Sequence, residues 1–189
     1  MNFNAPRVHE VRRSLTDLSE IPLPLVTQKN LNDNFRITFA PLSLDEVYQL
    51  ADDPGNGAVV VMSGTVRNKT DGQTVTHLEY QAYEPMAIAV FQSIAQQIRQ
   101  QWQDINRVVI HHRTGKLEIG EISVLVAVGC PHRGEAFAAC RYAIDTLKHN
   151  APIWKKEYKV MLDEKTGEKI VSGSWVSIGA CEQNNNNNC

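Results

Sequence analysis

The sequence predicts an α+β domain with a largely antiparallel sheet and two main amphipathic helices. Two long segments, 85–102 and 134–149, repeat apolar residues at helical spacing. Several shorter segments are rich in valine or alternate apolar with polar residues, which is typical of strands. These shorter segments meet at polar or Gly-containing connections of the kind that join antiparallel neighbours.

The first predicted elements are a short strand and a capped helix. Residues 36–39 alternate in polarity, and Ser43 then stands where a helix N-cap is expected. We expect this helix to run to about Asp52, with Glu46 completing a capping box.

The remaining strands are predicted in pairs. A valine-rich run at 57–66 and an alternating run at 74–83 are expected to pair across the polar loop 67–73. Two further pairs are predicted, 108–112 with 122–128 around the connection 114–120, and 153–161 with 169–178 turned at 163–167.

The two long helices have well-defined apolar faces. Pro85 is accepted in the first turn of a helix, and apolar residues then follow at Ala87, Val90, Phe91, Ile94, Ile98 and Trp102. The helix at 134–149 is expected to bury Phe137, Cys140, Ile144 and Leu147.

The chain length and the two termini suggest one folded domain at 35–180. Residues 1–34 are polar and mixed in pattern, so we expect a poorly ordered extension, with a short helix near 11–18 left open. The tail at 181–189 contains a run of asparagine that has nothing to bury, which predicts disorder.

Composition and charge exclude several classes of protein. A net charge of -2 gives no bulk attraction to nucleic acid or to a membrane surface. The four cysteines form no CxxC pair, and Cys130 and Cys140 fit buried free thiols, which favours a reducing compartment. With neither a long apolar segment nor a signal-peptide pattern, the sequence predicts a cytoplasmic protein.

A loop at 130–134 could bind an anion. It leaves a predicted buried strand and enters a helix, where unpaired backbone N–H groups favour negative charge. Arg133 offers a forked donor for phosphate, and His132 adds a second donor. A loop with an ordinary solvated arginine remains the alternative.

Lysines form a second candidate cluster. Lys148 lies at the margin of the apolar stripe of its helix, where a lysine can also simply complement the helix dipole. In the following strand Lys155 and Lys156 point to opposite faces, so at most one shares a pocket with Lys148. Lys155 falls on the side of Glu157. Clustered ammonium groups near apolar surface suit nucleophilic or acid–base chemistry, and solvated lysines are the alternative.

Other polar residues carry less information. Arg67 is a third basic point, although its loop is also explained as a hairpin turn. His111 and His112 are adjacent on a strand and point oppositely, so they cannot jointly chelate one metal. We expect no metal bound by the protein and no cofactor.

Six phrases in order resemble the large, catalytic subunit of molybdopterin synthase, the MoaE family. They are SGTVRN at 63–68, LEYQAYEPMA at 78–87, HHRTG at 111–115, GE at 120–121, HRGEAF at 132–137, and IDTLK at 144–148 running into APIWKKE at 151–157. The similarity covers about residues 36–175, and the extension and the tail have no counterpart in the pattern. The resemblance implies a fold similar to the α/β hammerhead, with a small β subdomain.

The resemblance also implies an activity. A small ubiquitin-like subunit carries sulfur as a thiocarboxylate on its Gly-Gly C-terminus and inserts that tail into the large subunit. Two sulfurs are transferred to cyclic pyranopterin monophosphate, which gives the dithiolene of molybdopterin. Two large subunits form the centre of a heterotetramer, with a small subunit at each end.

The resemblance assigns residues as well. Lys148 and Lys155 match the catalytic lysines, and these two also belong to the substrate-binding set. The other substrate-binding positions are Arg67, His132, Arg133, Lys156 and Glu157. We also expect that each pocket borrows His132 and Arg133 from the second large subunit.

Three other functions compete with this one. A non-catalytic module could keep the fold and hold a ubiquitin-like protein, but docking alone would not require both Lys148 and Lys155. A phosphate-ester transferase would need a Gly-rich phosphate loop or carboxylates for magnesium, and the sequence has neither. Nucleic-acid binding is disfavoured by the mild acidity and the absence of a basic aromatic face.

Overall fold

A computed structural model describes residues 32–163 and 166–176. The predicted short helix at 11–18, the tail at 181–189, and Cys181 and Cys189 lie outside these residues. Of the predicted extension 1–34, the structure describes residues 32–34. None of the described helices is both long and apolar enough to cross a membrane.

The first sheet has four strands in the order β1, β5, β7, β2. β1 (Asn34–Thr38) runs parallel to β5 (Arg107–Arg113), whereas β7 (Ile122–Cys130) is antiparallel to both β5 and β2 (Ala58–Thr65). The central strands β5 and β7 are almost entirely buried. Burial on both faces explains their nearly continuous apolar sequences.

Three helices cover the two faces of this sheet. α1 (Leu44–Ala51) packs on one face, where Val47 and Ala51 join a cluster with apolar residues of β5 and β7. α2 (Glu84–Gln101) and α3 (Arg133–Asn150) contribute to the main core with the alternate residues of the same strands. The sheet is therefore the middle layer between one helix and a helix pair.

The second sheet has five strands, and all of its strand pairs are antiparallel. Its order is β3 (Lys69–Thr70), β4 (Gln73–Ala82), β8 (Ile153–Leu162) and β9 (Lys169–Val176), with β6 (Gly115–Glu118) also paired to β4. The α+β class with a largely antiparallel sheet and a smaller β portion is confirmed. β6 lies inside the predicted connection 114–120 and was missed.

The predicted pairing of the strands around the loop 67–73 is wrong. β2 pairs with β7 in the first sheet, while β4 pairs with β8 in the second. The chain crosses between the sheets after Thr65, and the loop itself supplies β3, which folds back on β4. The valines of β2 are matched by the buried strand β7, which offers apolar partners that the half-exposed β4 does not.

Two local predictions on the helices also need correction. The Ser43 hydroxyl accepts a hydrogen bond from the Glu46 backbone N–H, as a capping residue should, but the Glu46 carboxylate accepts from Arg36 at 2.6 Å instead of completing the box. Phe137 is 63% exposed, not buried. The buried stripe of α3 runs through Ala136, Cys140, Ala143 and Leu147, and Phe137 lies about a quarter turn from its centre.

Asp33, just before β1, is hydrogen-bonded to neighbouring elements of the fold. Asp33 accepts two hydrogen bonds from the Arg99 guanidinium, each 2.7 Å, and a third from the Val108 backbone N–H at 2.9 Å. Asn34 Oδ1 lies 2.6 Å from Nε2 of His111. These contacts tie the start of β1 to α2 and β5, ahead of the predicted strand start at Arg36.

Candidate active site

A cavity of about 340 Å³ lies where the two sheets and the end of α3 meet. β2 and β7 supply one wall, β4 and β8 another, and the last turn of α3 a third. The lining residues are Met62, Gly64, Thr65, Arg67, Thr70, Leu78, Tyr80, His112, Ser123, Val124, Leu147, Lys148, Lys155 and Glu157.

The end of α3 places Lys148 at this cavity. Leu147 is buried against the core, so the next side chain emerges at the edge of the packed face. The helix ends at Asn150 because Pro152 follows, and the chain then extends directly into β8. The proline thus brings the lysines of β8 close to the helix end.

Strand alternation selects which residues of β8 face the cavity. Lys155 and Glu157 stand opposite Tyr80 and Leu78 of β4, and all four line the cavity. Lys156 lies on the other face, where its ammonium is 5.1 Å from the Tyr158 ring centre and also faces a Trp175 ring. Lys155 and Lys156 therefore point to opposite faces, as the strand pattern predicts.

Glu157 is a buried carboxylate held between two lysines. Lys155 Nζ lies 2.8 Å from one carboxylate oxygen and Lys159 Nζ lies 3.3 Å from the other. Burial alone would raise the pKa of Glu157, but the hydrogen bonds and charges of the two lysines outweigh it and hold the pKa below its ordinary value. Glu157 is therefore ionised at neutral pH.

The end of β2 contributes Arg67 and a close backbone approach. The register with β7 shifts between Gly64 and Thr65, which bends the strand at the cavity wall. A Cβ at Gly64 would lie 2.6 Å from a methyl group of Val124, so the wall requires glycine here. Past the bend, the exposed Arg67 reaches the cavity from its open side.

The structure places His132 and Arg133 elsewhere. Together with Gly57, Pro131 and Gly134 they line a second, more open depression of about 470 Å³ at the start of α3. Lys148 follows Arg133 by 15 positions on the same helix, which separates them by roughly 22 Å along its axis. Of the seven predicted site residues, four meet in the first cavity, two line the second, and Lys156 lies on the opposite face of β8.

Charge in the first cavity favours an anionic ligand. Arg67, Lys148 and Lys155 supply three cations against the single carboxylate of Glu157. In a partly enclosed space, such cations bind phosphate or carboxylate groups and stabilise negative charge that develops during a reaction. Within the described residues, no three His, Cys, Asp or Glu side chains are grouped as metal ligands would be.

The sequence did not identify two residues of this site. Lys159 completes the pairing of Glu157, and its spacing of two from Glu157 and four from Lys155 on one strand was a usable signal. Strand alternation excludes a metal shared by His111 and His112 but predicts no other role for His112. It is in fact a buried residue of the cavity wall, while His111 lies on the other face beside Asn34 and Arg36.

Comparisons with known proteins agree on one family. The family model described as MoaE protein matches residues 37–150. A molybdopterin synthase catalytic subunit of Nostoc sp. is 66% identical over 165 residues, covering 87% of this chain and 94% of that protein.

Two solved structures are also similar. Molybdopterin synthase from Staphylococcus aureus has a TM-score of 0.65 at 36% identity, covering 74% of this chain and 94% of that one. A protein–protein complex of subunits 1 and 2 of molybdopterin-converting factor from Helicobacter pylori contains a chain with a TM-score of 0.54, over 75% of this chain and 90% of that one. At 23% identity, this second likeness concerns the fold alone.

Proposed function

The chain belongs to the MoaE protein family, and from that membership we propose that it is the catalytic subunit of a molybdopterin synthase. It acts as a sulfurtransferase and takes two sulfurs in turn, one from the C-terminal thiocarboxylate of each of two small ubiquitin-like subunits. The acceptor is cyclic pyranopterin monophosphate, and the product is the dithiolene of molybdopterin. The cavity lined by Lys148 and Lys155 carries this proposal.

The charge of the cavity suits both reactants. The pterin substrate carries a phosphate, and the tail of the small subunit ends in a carboxylate-like group. Arg67, Lys148 and Lys155 supply cations for these anions. The apolar side chains beside them, including Leu78 and Leu147, exclude water and strengthen the electrostatic interactions.

Lys148 has the central role in the mechanism that we propose. It polarises the thiocarboxylate and moves protons as sulfur leaves, while Lys155 supports it by binding the anion. Glu157 fixes Lys155 in place through the 2.8 Å ion pair. Lys156 lies on the other face of β8, so any contact with substrate would be outside this cavity.

The separation of the two depressions supports a site shared between two large subunits. His132 and Arg133 lie roughly 22 Å along α3 from Lys148 and cannot reach the same ligand within one chain. In a dimer of large subunits at the centre of a heterotetramer, the helix start of one copy completes the cavity of the other. There the N-terminal N–H groups of α3 and Arg133 bind phosphate.

The small subunit is the second partner, and its Gly-Gly tail enters the cavity beside Lys148. The H. pylori protein of the same fold was solved as a complex of two subunits. We place the assembly in the cytoplasm because Cys130 and Cys140 are buried free thiols, which a reducing compartment preserves. We propose a working domain that begins at Asp33, two residues ahead of the expected start at 35, because Asp33 and Asn34 are bonded to α2 and β5.

Conversion of cyclic pyranopterin monophosphate to molybdopterin tests the proposal. This chain and a thiocarboxylated small subunit are mixed with substrate, and the product is oxidised to a fluorescent pterin. We expect product with the wild-type chain and its loss with Lys148→Ala. A partner that binds without product would indicate a non-catalytic binding module, and near-normal turnover by Lys148→Ala would refute the role of that lysine.

A further inference from the structure

His112 is a buried imidazole in the wall of the cavity, and one of its ring nitrogens is already committed. The residue is 3% exposed, and Nδ1 lies 2.9 Å from the backbone carbonyl oxygen of Arg113. A carbonyl oxygen can only accept, so Nδ1 carries the proton and Nε2 carries a lone pair. The edge-to-face contact with the Tyr80 ring, 5.1 Å between centres, fixes the ring plane.

The imidazole stays neutral around physiological pH. Burial is the main reason that its pKa falls to about 4, although the hydrogen bond to Arg113 acts in the opposite direction. The charged groups of the cavity are Arg67 after β2, Lys148 on α3, and Lys155 and Glu157 on β8. Three of these four groups are cations and one is an anion.

The lone pair on Nε2 is therefore a hydrogen-bond acceptor in the wall of a cavity whose charged groups are mainly cations. The His112 side chain makes one hydrogen bond to a described residue, and that bond is donated by Nδ1. Nε2 is not one of the fully buried polar atoms that lack a partner, so a donor on a ligand in the cavity can reach it. The lone pair repels phosphate and carboxylate oxygens, and we expect these anionic groups to bind the lysines instead.

We propose that His112 Nε2 accepts a hydrogen bond from an N–H or O–H group of the pterin heterocycle and so fixes the orientation of the substrate. This inference rests on the proposed function and adds a specificity-determining residue to it. The cations bind the anionic end of the substrate, and His112 accepts a hydrogen bond from a donor on the ring. A ring that presents an acceptor at that point is rejected because two lone pairs would then face each other.

Two substitutions of His112 distinguish the role of Nδ1 from the role of Nε2. His112→Asn keeps a donor for the Arg113 carbonyl but has nothing at the position of Nε2. His112→Gln is long enough to place an amide oxygen near that position. Equilibrium binding is measured on the chain assembled with a small subunit that ends in an ordinary carboxylate, so that no turnover occurs. The two probes are cyclic pyranopterin monophosphate and inorganic phosphate.

We expect His112→Asn to weaken binding of the pyranopterin roughly ten- to a hundredfold, because one donor of the bound ring is left unpaired. Phosphate affinity should stay within about twofold, since the lysines are untouched, and His112→Gln should recover much of the pyranopterin affinity. A purely structural role would lower the affinity for both probes together. An equal loss for both, or no loss for either, would overturn the inference.

Failure of the His112 inference can be distinguished from failure of the proposed function. A wild-type assembly that neither binds the pyranopterin nor forms product would refute the proposed function. Product formation by the wild type together with unchanged pyranopterin affinity in His112→Asn would refute the role of His112 alone. If His112→Asn does not fold, His112→Leu takes its place as the variant without an acceptor, and equal losses of pyranopterin and phosphate affinity in that variant would again contradict the proposal.

Discussion

Lys155 and Glu157 form an ion pair of 2.8 Å in the wall of the cavity, with side chains that are 12% and 2% exposed. The second carboxylate oxygen faces Lys159 at 3.3 Å. Two ammonium groups therefore depend on one buried carboxylate for charge balance. A buried pair is strongly destabilised when one partner is removed, because the other charge stays behind without compensation.

Glu157→Gln should destabilise the fold and lower activity together. We expect a loss of about 3 kcal/mol in the free energy of unfolding, measured by urea denaturation. The matched control is Glu118→Gln, since the Lys116–Glu118 pair is about 60% exposed on both sides. An exposed pair contributes roughly 0.5 kcal/mol, and equal losses in the two variants would contradict this account of the buried carboxylate.

Stability should fall as pH drops below about 6.5, because of His111 and His112. Burial is the largest cause that lowers the pKa of each ring from 6.5 to about 4. Between these values the unfolded chain binds more protons than the folded one, so acid favours unfolding. The contribution of the two rings is fully present above about pH 6.5 and is lost as pH approaches about 4.

The measurement is the free energy of unfolding at about pH 7.5, 6 and 5. His112→Gln removes one of the two titrating rings, so its stability should vary less steeply over this range than that of the wild type. A slope unchanged by this substitution would mean that His112 is not held neutral by burial. Glu157 acts at lower pH, because its depressed pKa gives stability that is lost as pH falls below about 4.5.

The two neighbouring lysines of β8 should differ in their effect on turnover. Lys155 lines the cavity and pairs with Glu157, whereas Lys156 covers aromatic rings on the opposite face. Alanine at 155 should lower kcat/KM by a hundredfold or more, on the order of 3 kcal/mol of lost electrostatic stabilisation. Alanine at 156 should cost less than about tenfold. Equal losses of kcat/KM in the two variants would contradict this difference and would mean that Lys156 contacts substrate in the assembled enzyme.

Much of the fold was predictable because its signals are local. Alternation and helical spacing located the three helices and most strands, and Pro152 correctly marked the turn from α3 into β8. The partner of β2 was not predictable, since a valine-rich strand fits any buried neighbour and the choice of β7 over β4 depends on the whole core. The exposure of Phe137 likewise depends on how α3 is rotated against the sheet.

The candidate site was predictable in part, for a related reason. Strand alternation alone places Lys155 and Glu157 on one face, and helical spacing places Lys148 at the edge of a packed face. Adjacency in sequence says nothing about the contact of distant strands, so the position of His112 next to Tyr80 emerges only from the fold. The distance between Arg133 and Lys148 follows directly from the length of α3.

Mixing two inactive chains tests whether the cavity is shared between large subunits. Lys148→Ala disables the cavity at the end of α3, and Arg133→Ala disables the depression at its start. In a mixed dimer, one of the two composite sites would contain both native residues, so we expect up to about half of wild-type turnover per such dimer. Each variant alone should be nearly inactive. An absence of rescue, with subunit exchange verified, would count against sharing.

The start of β1 is held in place by the carboxylate of Asp33. Asp33 accepts three hydrogen bonds, two from Arg99 and one from the Val108 N–H, and its side chain is 12% exposed. Asp33→Ala leaves the guanidinium without its partner, which should lower the free energy of unfolding by about 2 kcal/mol. The comparison is a chain that begins at residue 32, which keeps Asp33 and should unfold within about 0.5 kcal/mol of the full chain. If that shortened chain is as unstable as Asp33→Ala, the domain boundary lies earlier in the chain than residue 32.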